Sequence, residues 1–241
     1  MSISKNEIRH VRALSQKKYR DETGLFLVEG EKMVSEALTS GFEVLSVYRR
    51  DEIGEEAMGR LSLLSSPSPV LAVVRQPAPG QLRPSKGLFL ALDGIRDPGN
   101  LGTILRVADW FGLDGVFASR DTVELYNPKV VQATMGAIFR VPFFVADIPA
   151  LCRELVAEGG HVYGTFLDGE NLYRKALDCG TSVPSVIVIG NESNGISPEV
   201  AACVSDRLFI PPYPADDPGS ESLNAAIATA ITVAEFRRRA I

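Results

Sequence analysis

Six short, almost uninterrupted apolar runs, separated by stretches with helical patterning, set the architecture of most of this chain. The runs are Leu88–Leu92, Gly115–Ala118, Phe143–Ala146, His161–Phe166, Ser185–Ile189 and Leu208–Ile210. Helical segments fall between them near 101–111, 128–138, 149–158 and 197–204, and a closing helix is expected at about 222–239. A strand that is apolar at every position is buried on both faces. Such strands, alternating with helices, build a parallel sheet. The expectation is an α/β domain whose ligands bind beyond the carboxyl ends of the strands.

The first 75 residues read as a smaller α/β unit. A basic helix over 4–18, capped by Ser4 or Asn6, carries Ile8, Val11 and Leu14 at helical spacing. Leu25–Val28 is strand-like, 31–40 is helical and stops before Gly41, and Val44–Tyr48 and Val70–Arg75 read as strands. The stretch 76–87, QPAPGQLRPSKG, has the proline and glycine content of a linker. The boundaries that follow are a domain over 1–78, a linker over 79–87 and a second domain over 88–241.

A formal net charge of −5 weighs against a nucleic-acid partner when taken for the whole chain. The distribution is uneven, however. Within the first 20 residues Lys5, Arg9, Arg12, Lys17, Lys18 and Arg20 face a single acid, Glu7. A solvated helix face and a phosphate-binding patch both fit that cluster. The three cysteines, Cys152, Cys179 and Cys203, form no C-x-x-C pair, and His10 and His161 are the only histidines. Neither a disulfide framework nor a metal centre is expected, and a reducing cytoplasm suits the cysteine usage. No apolar run approaches the ~18–20 residues that span a membrane, and no signal peptide is expected at the N-terminus.

Three loops at strand ends are polar and glycine-rich. The first, Asp93–Arg106, leaves the Leu88–Leu92 strand and enters a helix, with Asn100 where an N-cap is expected and Arg106 nearly two turns further on. The second, Ile189–Ser197, runs from a strand into Gly190-Asn191-Glu192, and Ser197-Pro198 reads as a helix start. The third, from Ile210 to Asn224, ends in Ser222-Leu223-Asn224 at the start of the last helix. Capping alone accounts for many of these residues, and core packing alone accounts for Ile210 and Leu223. No G-x-G-x-x-G, no G-x-x-x-x-G-K-[ST] and no G-x-S-x-G is present, so dinucleotide binding, NTP hydrolysis and serine hydrolysis lack their usual signals.

The segment LDGIRDPGNLGTILRVADWFG resembles the first motif of the SpoU/TrmH methyltransferases. IVIGNESNGIS is similar to their second motif, and LFIPP…SESLNAAIATAI to their third, in the family's order. GLFLVEGEKMVSEAL at 24–38 is similar to the substrate-binding domain that often precedes the catalytic domain. The resemblance implies a SPOUT domain with a C-terminal trefoil knot, preceded by a small L30e-like RNA-binding domain. It further implies a homodimer and transfer of a methyl group from S-adenosylmethionine (SAM) to a ribose 2′-hydroxyl of ribosomal or transfer RNA, with no metal.

By the same resemblance Arg106 is the catalytic arginine. Asn100, Glu192, Ser222 and Asn224 are polar positions that place the ribose and support it. Thr165, Gly190, Ile210 and Leu223 line the cofactor pocket. The basic residues Arg9, Arg12, Lys17, Lys18 and Arg20 then become candidates for RNA phosphate contacts. The segment PPYPADDPGSE is longer than the family's usual link and sets Asp216 and Asp217 beside the site. Two other readings stay open on sequence: a non-catalytic RNA-binding or ribosome-assembly protein that keeps the fold, and a SAM enzyme acting on a small molecule.

Overall fold

The computed structural model describes residues 3–214 and 222–240. In chain order it begins with α1 (Lys5–Ala13), α2 (Lys17–Thr23), β1 (Leu25–Glu29), α3 (Glu31–Thr39), β2 (Val44–Arg49), α4 (Arg50–Ile53), α5 (Glu55–Leu61) and β3 (Val70–Arg75). There follow β4 (Leu88–Asp93), α6 (Pro98–Trp110), β5 (Gly115–Ala118), α7 (Pro128–Thr134), a 3-10 turn (Ala137–Phe139), β6 (Phe143–Val145) and α8 (Ile148–Ala157). The chain then forms β7 (His161–Asn171), β8 (Ser185–Gly190), α9 (Pro198–Ala201), β9 (Asp206–Phe209) and α10 (Ala225–Ala240). Two compact units result: Met1–Pro79 with Glu124–Arg140, and Gly80–Val123 with Val141–Ile241.

The first unit is a three-stranded antiparallel sheet in the order β1-β3-β2. Alternate residues of its strands serve two cores. Leu27, Leu71 and Val73 pack with Ile8, Val11 and Leu14 of the N-terminal region and with Met58 and Leu61 of α5. Phe26, Val28, Ala72 and Val74 pack on the other side with Met33, Val34 and Ala37 of α3. That second core also takes in Val131, Ile138, Tyr126 and Phe139, which chain order assigned to the second domain. The basic helix is two helices, with α1 ending at Ala13. Ser4 caps α1 by accepting from the Glu7 amide, and the Leu14 carbonyl after the break accepts from Arg20 Nη1 at 2.8 Å. Helices α4 and α5 were not expected; their apolar residues are sparse within an acidic stretch and become legible only against the sheet.

The second unit is the expected parallel sheet, with strand order β6-β5-β4-β8-β7-β9 and every pairing parallel. Phe89, Ala91, Val186 and Val188 face α8 and α9, through Cys152, Leu155 and Val200. The alternate residues Leu88, Leu90 and Leu92 are fully buried, while α6 contacts β5 and α10 contacts β8. Strand order reverses between β4 and β8, which makes their carboxyl ends the switch point where such sheets bind ligands. The register there sets Asp93 opposite Gly190, so the first two polar loops leave the sheet side by side.

The closing helix α10 lies along α6. Arg237 donates to the carbonyl oxygens of Phe111 (2.8 Å) and Gly112 (2.5 Å), satisfying groups at the end of α6. Arg238 and Arg239 pair with the buried Glu235 and hold its carboxyl well below the usual carboxylate range. Arg239 also donates to the carbonyls of Lys175 and Leu172. The terminal arginine cluster thus ties α10 to the rest of its unit.

Candidate active site

At the start of α6 the cap is Asp97, not Asn100. Its carboxylate accepts from the Asn100 backbone N–H at 2.8 Å, with Pro98 in the first helical position. An Asp-Pro pair suits a helix start, because proline has no N–H to lose there and its φ is already helical. Asn100 therefore sits inside the first turn with its side chain free, and that side chain joins the other two loops. Asn100 Nδ2 donates to Glu192 Oε1 at 2.9 Å, and Asn224 Nδ2 donates to Asn100 Oδ1 at 2.9 Å. Asn224 in turn caps α10, its Oδ1 accepting from the amides of Ala226 and Ile227. One continuous chain of side chains, Asn224–Asn100–Glu192, links all three loops.

Glu192 also receives the backbone N–H groups of Arg96 and Asp97, each at 3.3 Å. Partial burial works to raise the Glu192 carboxyl, but the Asn100 amide and these N–H donors outweigh it and hold the group below its ordinary value. A depressed carboxyl stabilises the folded loop at pH values above the unfolded pKa of about 4.3, and that contribution is lost as pH falls through the lower folded value. Thermal melting from pH 6 down to pH 3 is expected to show a steeper loss for the unaltered protein than for Glu192→Gln. Parallel curves would remove Glu192 as an ionised anchor.

The second loop is held in a tight turn. Asn191 and Gly195 exchange backbone hydrogen bonds at 2.9 Å each, and Gly195 sits at φ +68°. A Cβ on Gly190 would run into the Gly195 backbone, so only glycine fits there. Asn191 Nδ2 donates to the Gly94 carbonyl at 2.6 Å, and the Ser197 amide donates to Asp93 Oδ2 at 2.7 Å. Ser197 occupies the cap position of α9, yet its side chain makes no capping bond.

Thr165 lies in the middle of β7 where its pairing with β8 stops, Gly190 ends β8, and Ile210 follows β9, on three neighbouring strands. The β7–β8 ladder ends at Gly164↔Val188, two residues before β8 does. Thr165 Oγ1 donates to the Val188 carbonyl there at 3.4 Å. Beyond it the β7-facing backbone of Ile189 and Gly190 lies outside the ladder, a backbone cradle at the end of β8. Leu223 is about half exposed, at 48%. Ser222 is exposed beside it, and Asp216 and Asp217 lie outside the described residues. Arg106 is exposed, with no hydrogen bond or ion pair among the described residues. Six residues after Asn100, it points about 120° round the helix from it, so the structure does not join it to the Asn224–Asn100–Glu192 chain.

In the first unit one expectation needs correction. Arg20 is not available to RNA: it is 2% exposed, forked onto Glu124 at 2.9 and 2.7 Å, with its remaining nitrogen on the Leu14 carbonyl. Burial of so large a cation is tolerated because each of its three nitrogens has a partner and its charge is paired with a carboxylate. Arg12 spends Nη1 on the carbonyls of Arg60 and Ser62. Arg9 is exposed and donates to Asn6. Lys17 and Lys18 are exposed and paired one turn on with Asp21 and Glu22, which lie just past the basic cluster. The sequence reading also missed Asp93, Asp97 and Asn191. The Asp97-Pro98 pair was a visible cap signal, whereas the contacts of Asp93 and Asn191 span 104 and 97 residues and have no local signature. Among the described residues no group of three His, Cys, Asp or Glu side chains could hold a metal, and no helix is long and apolar enough to cross a membrane.

Residues 87–234 match the model of the SpoU rRNA Methylase family, and residues 5–75 match the MRM3-like substrate binding domain. The chain is 31% identical to 23S rRNA (guanosine(2553)-2′-O)-methyltransferase RlmP of Bacillus subtilis, over 98% of each chain. Its structure resembles an AdoMet-bound rRNA methyltransferase from Sinorhizobium meliloti with a TM-score of 0.88 and 32% identity, covering 100% of this chain and 97% of that one. A TrmH-family protein from Porphyromonas gingivalis also superposes with a TM-score of 0.88, at 39% identity over 99% of this chain and 100% of that chain.

Proposed function

The chain belongs to the SpoU rRNA methylase family, and from that premise we infer a SAM-dependent RNA 2′-O-methyltransferase acting on ribosomal RNA. The observation that carries this reading is the Asn224–Asn100–Glu192 chain, which gathers three polar loops at the carboxyl ends of β4 and β8, next to the cradle at Gly190. A non-catalytic relative would have no need to keep that constellation.

When bound, SAM supplies an electrophilic methyl group on a sulfonium. Thr165, Gly190, Ile210 and Leu223 hold it, chiefly through backbone groups. Methyl transfer to a 2′-hydroxyl is an in-line displacement, so the chain's task is alignment and removal of a proton. A guanidinium is a poor base, which leaves proton removal to another group. The role of Arg106 is to grip the phosphate beside the target ribose and to stabilise charge that develops on the oxygen. Asn100, Glu192, Ser222 and Asn224 keep the ribose-facing loops in place. In the first unit Arg9, Arg12, Lys17 and Lys18 supply phosphate contacts that set the register of the RNA.

We place the protein in the cytoplasm, as a homodimer with its C-terminal segment threaded in a trefoil knot. Trp110 on α6 is 85% exposed and Ile227 on α10 is 50% exposed, and large exposed apolar side chains of this kind favour a partner surface. The direct test is incubation with labelled SAM and unmodified ribosomal RNA, then digestion and mass spectrometry of the nucleosides. A 2′-O-methylated nucleoside is expected. Label confined to a base, or SAM binding without any transfer to ribosomal RNA or ribosomal precursors, would overturn the reading.

A further inference from the structure

The carboxyl edge of the second unit's sheet is chemically divided. On the β8-β7-β9 side it offers small, neutral or apolar groups: Thr165, Gly190 and Ile210. On the β4-β5 side it carries two exposed arginines, Arg96 in the loop after β4 and Arg120 in the loop after β5. These strands are neighbours, and their loops are locked to each other. The Gly94 amide donates to Ser119 Oγ at 2.9 Å, and the Val123 amide donates to the Ile95 carbonyl at 2.8 Å. The Arg96 amide is held by Glu192 in turn. The backbone beneath both arginines is therefore fixed.

The guanidinium groups are not. Neither has a hydrogen bond or ion pair among the described residues. The carboxylates of these loops keep their charge but bond neutral donors rather than either guanidinium: Asp93 the Ser197 amide, Asp97 the Asn100 amide, Asp121 the Ser119 hydroxyl at 2.6 Å, and Glu192 the Asn100 side chain. Two other arginines of the same unit behave differently. Arg83 pairs with Glu158, and Arg207 pairs with Asp168 while lying over the Phe166 ring. Two exposed guanidinium groups without a hydrogen-bond or ion-pair partner, on rigid neighbouring loops, keep their donors available to an anion.

We propose that Arg96 and Arg120 form a phosphate clamp that grips the RNA backbone on the β4–β5 side of the target ribose. The guanidinium fork matches two phosphate oxygens at once, and the fixed loops mean that little order has to be gained on binding. The clamp rests on the methyltransferase reading, since it takes its phosphates from the RNA substrate.

The test uses the full-length protein, with Arg96→Glu/Arg120→Glu and Arg96→Lys/Arg120→Lys double variants. RNA binding is measured over a salt series, with KM for RNA and the Kd for SAM alongside. The Glu pair is expected to weaken RNA binding about a hundredfold and to flatten the slope of log K against log salt by about two, one for each lost phosphate contact. The Lys pair should restore most of the slope, because charge is kept, but not all of the affinity. The Kd for SAM should stay within about twofold, since the cofactor groups lie on the other strands. An unchanged salt slope in the Glu pair overturns the clamp, and so does a matching loss of SAM affinity, which would assign the arginines to loop structure. Failure of the unaltered protein to methylate any RNA would instead remove the parent reading, and the clamp with it.

Discussion

Arg106→Ala is expected to lower kcat by about a thousandfold, the scale on which a preorganised charge-stabilising donor acts, while the Kd for SAM stays within about twofold. The argument starts from what the guanidinium does not do. It is exposed and has no partner among the described residues, so truncation removes no structural bond and should leave the melting temperature nearly unchanged. It also lies about 120° round α6 from Asn100, outside the chain that ties the loops together. Arg106→Lys should recover only part of the rate, because an ammonium keeps the charge but loses the planar fork. Single-turnover transfer at saturating SAM and RNA, paired with calorimetric SAM binding, checks this. Wild-type turnover in the Ala variant would take Arg106 out of the mechanism. A parallel loss of SAM affinity would move it to the cofactor.

The second large effect is on stability. Glu124→Ala strands the 2% exposed guanidinium of Arg20 without its bidentate partner, and breaking one side of a buried pair costs about 3–5 kcal/mol. Glu124 keeps some solvent contact, at 21% side-chain exposure, so the lower end, about 3 kcal/mol, is the expectation. The melting temperature of the first unit should fall by about 12–24 °C. Replacing both residues with apolar ones, Arg20→Met with Glu124→Leu, should recover much of the loss, because no charge is then left behind. A drop below about 1 kcal/mol in Glu124→Ala would mean that the pair is far more hydrated than its burial implies. The same measurement reports on the segment 124–140, since Glu124 opens it and its Tyr126, Val131 and Ile138 fill one of the two cores of the first unit.

Much of this was legible in the sequence. Runs such as Leu88–Leu92 and Ser185–Ile189 mark strands buried on both faces, and they are the central pair of the sheet. Capping needs only the next turn of chain, so the sequence narrows the cap of α1 to Ser4 or Asn6, and Ser4 takes the place. The readings that failed needed distant partners. Arg20 looks like one more member of a basic cluster until Glu124, 104 residues away, is set against it. Asn100 looks like a cap until Asp97 takes that place, and its side chain is then claimed by Glu192 and Asn224. Helices α4 and α5 carry too few apolar residues to show a period, and they are held by packing against the sheet.

Local pattern marks the buried segments, the parallel character of the main sheet and the three polar loops. Periodicity and local turn chemistry report how each element meets its immediate surroundings, and those properties travel with a short stretch of chain. What those surroundings are depends on the assembled fold. It set β4 beside β8, so that residues 92 and 124 positions apart join in one hydrogen-bonded chain. It drew residues 124–140 into the core of the first unit. And it settled which cations are spent on the fold, as Arg20 and Arg237 are, and which, like Arg96, Arg106 and Arg120, have no partner among the described residues. A guanidinium carries the same charge in every context, so its use depends on which acids and carbonyls the fold brings within reach.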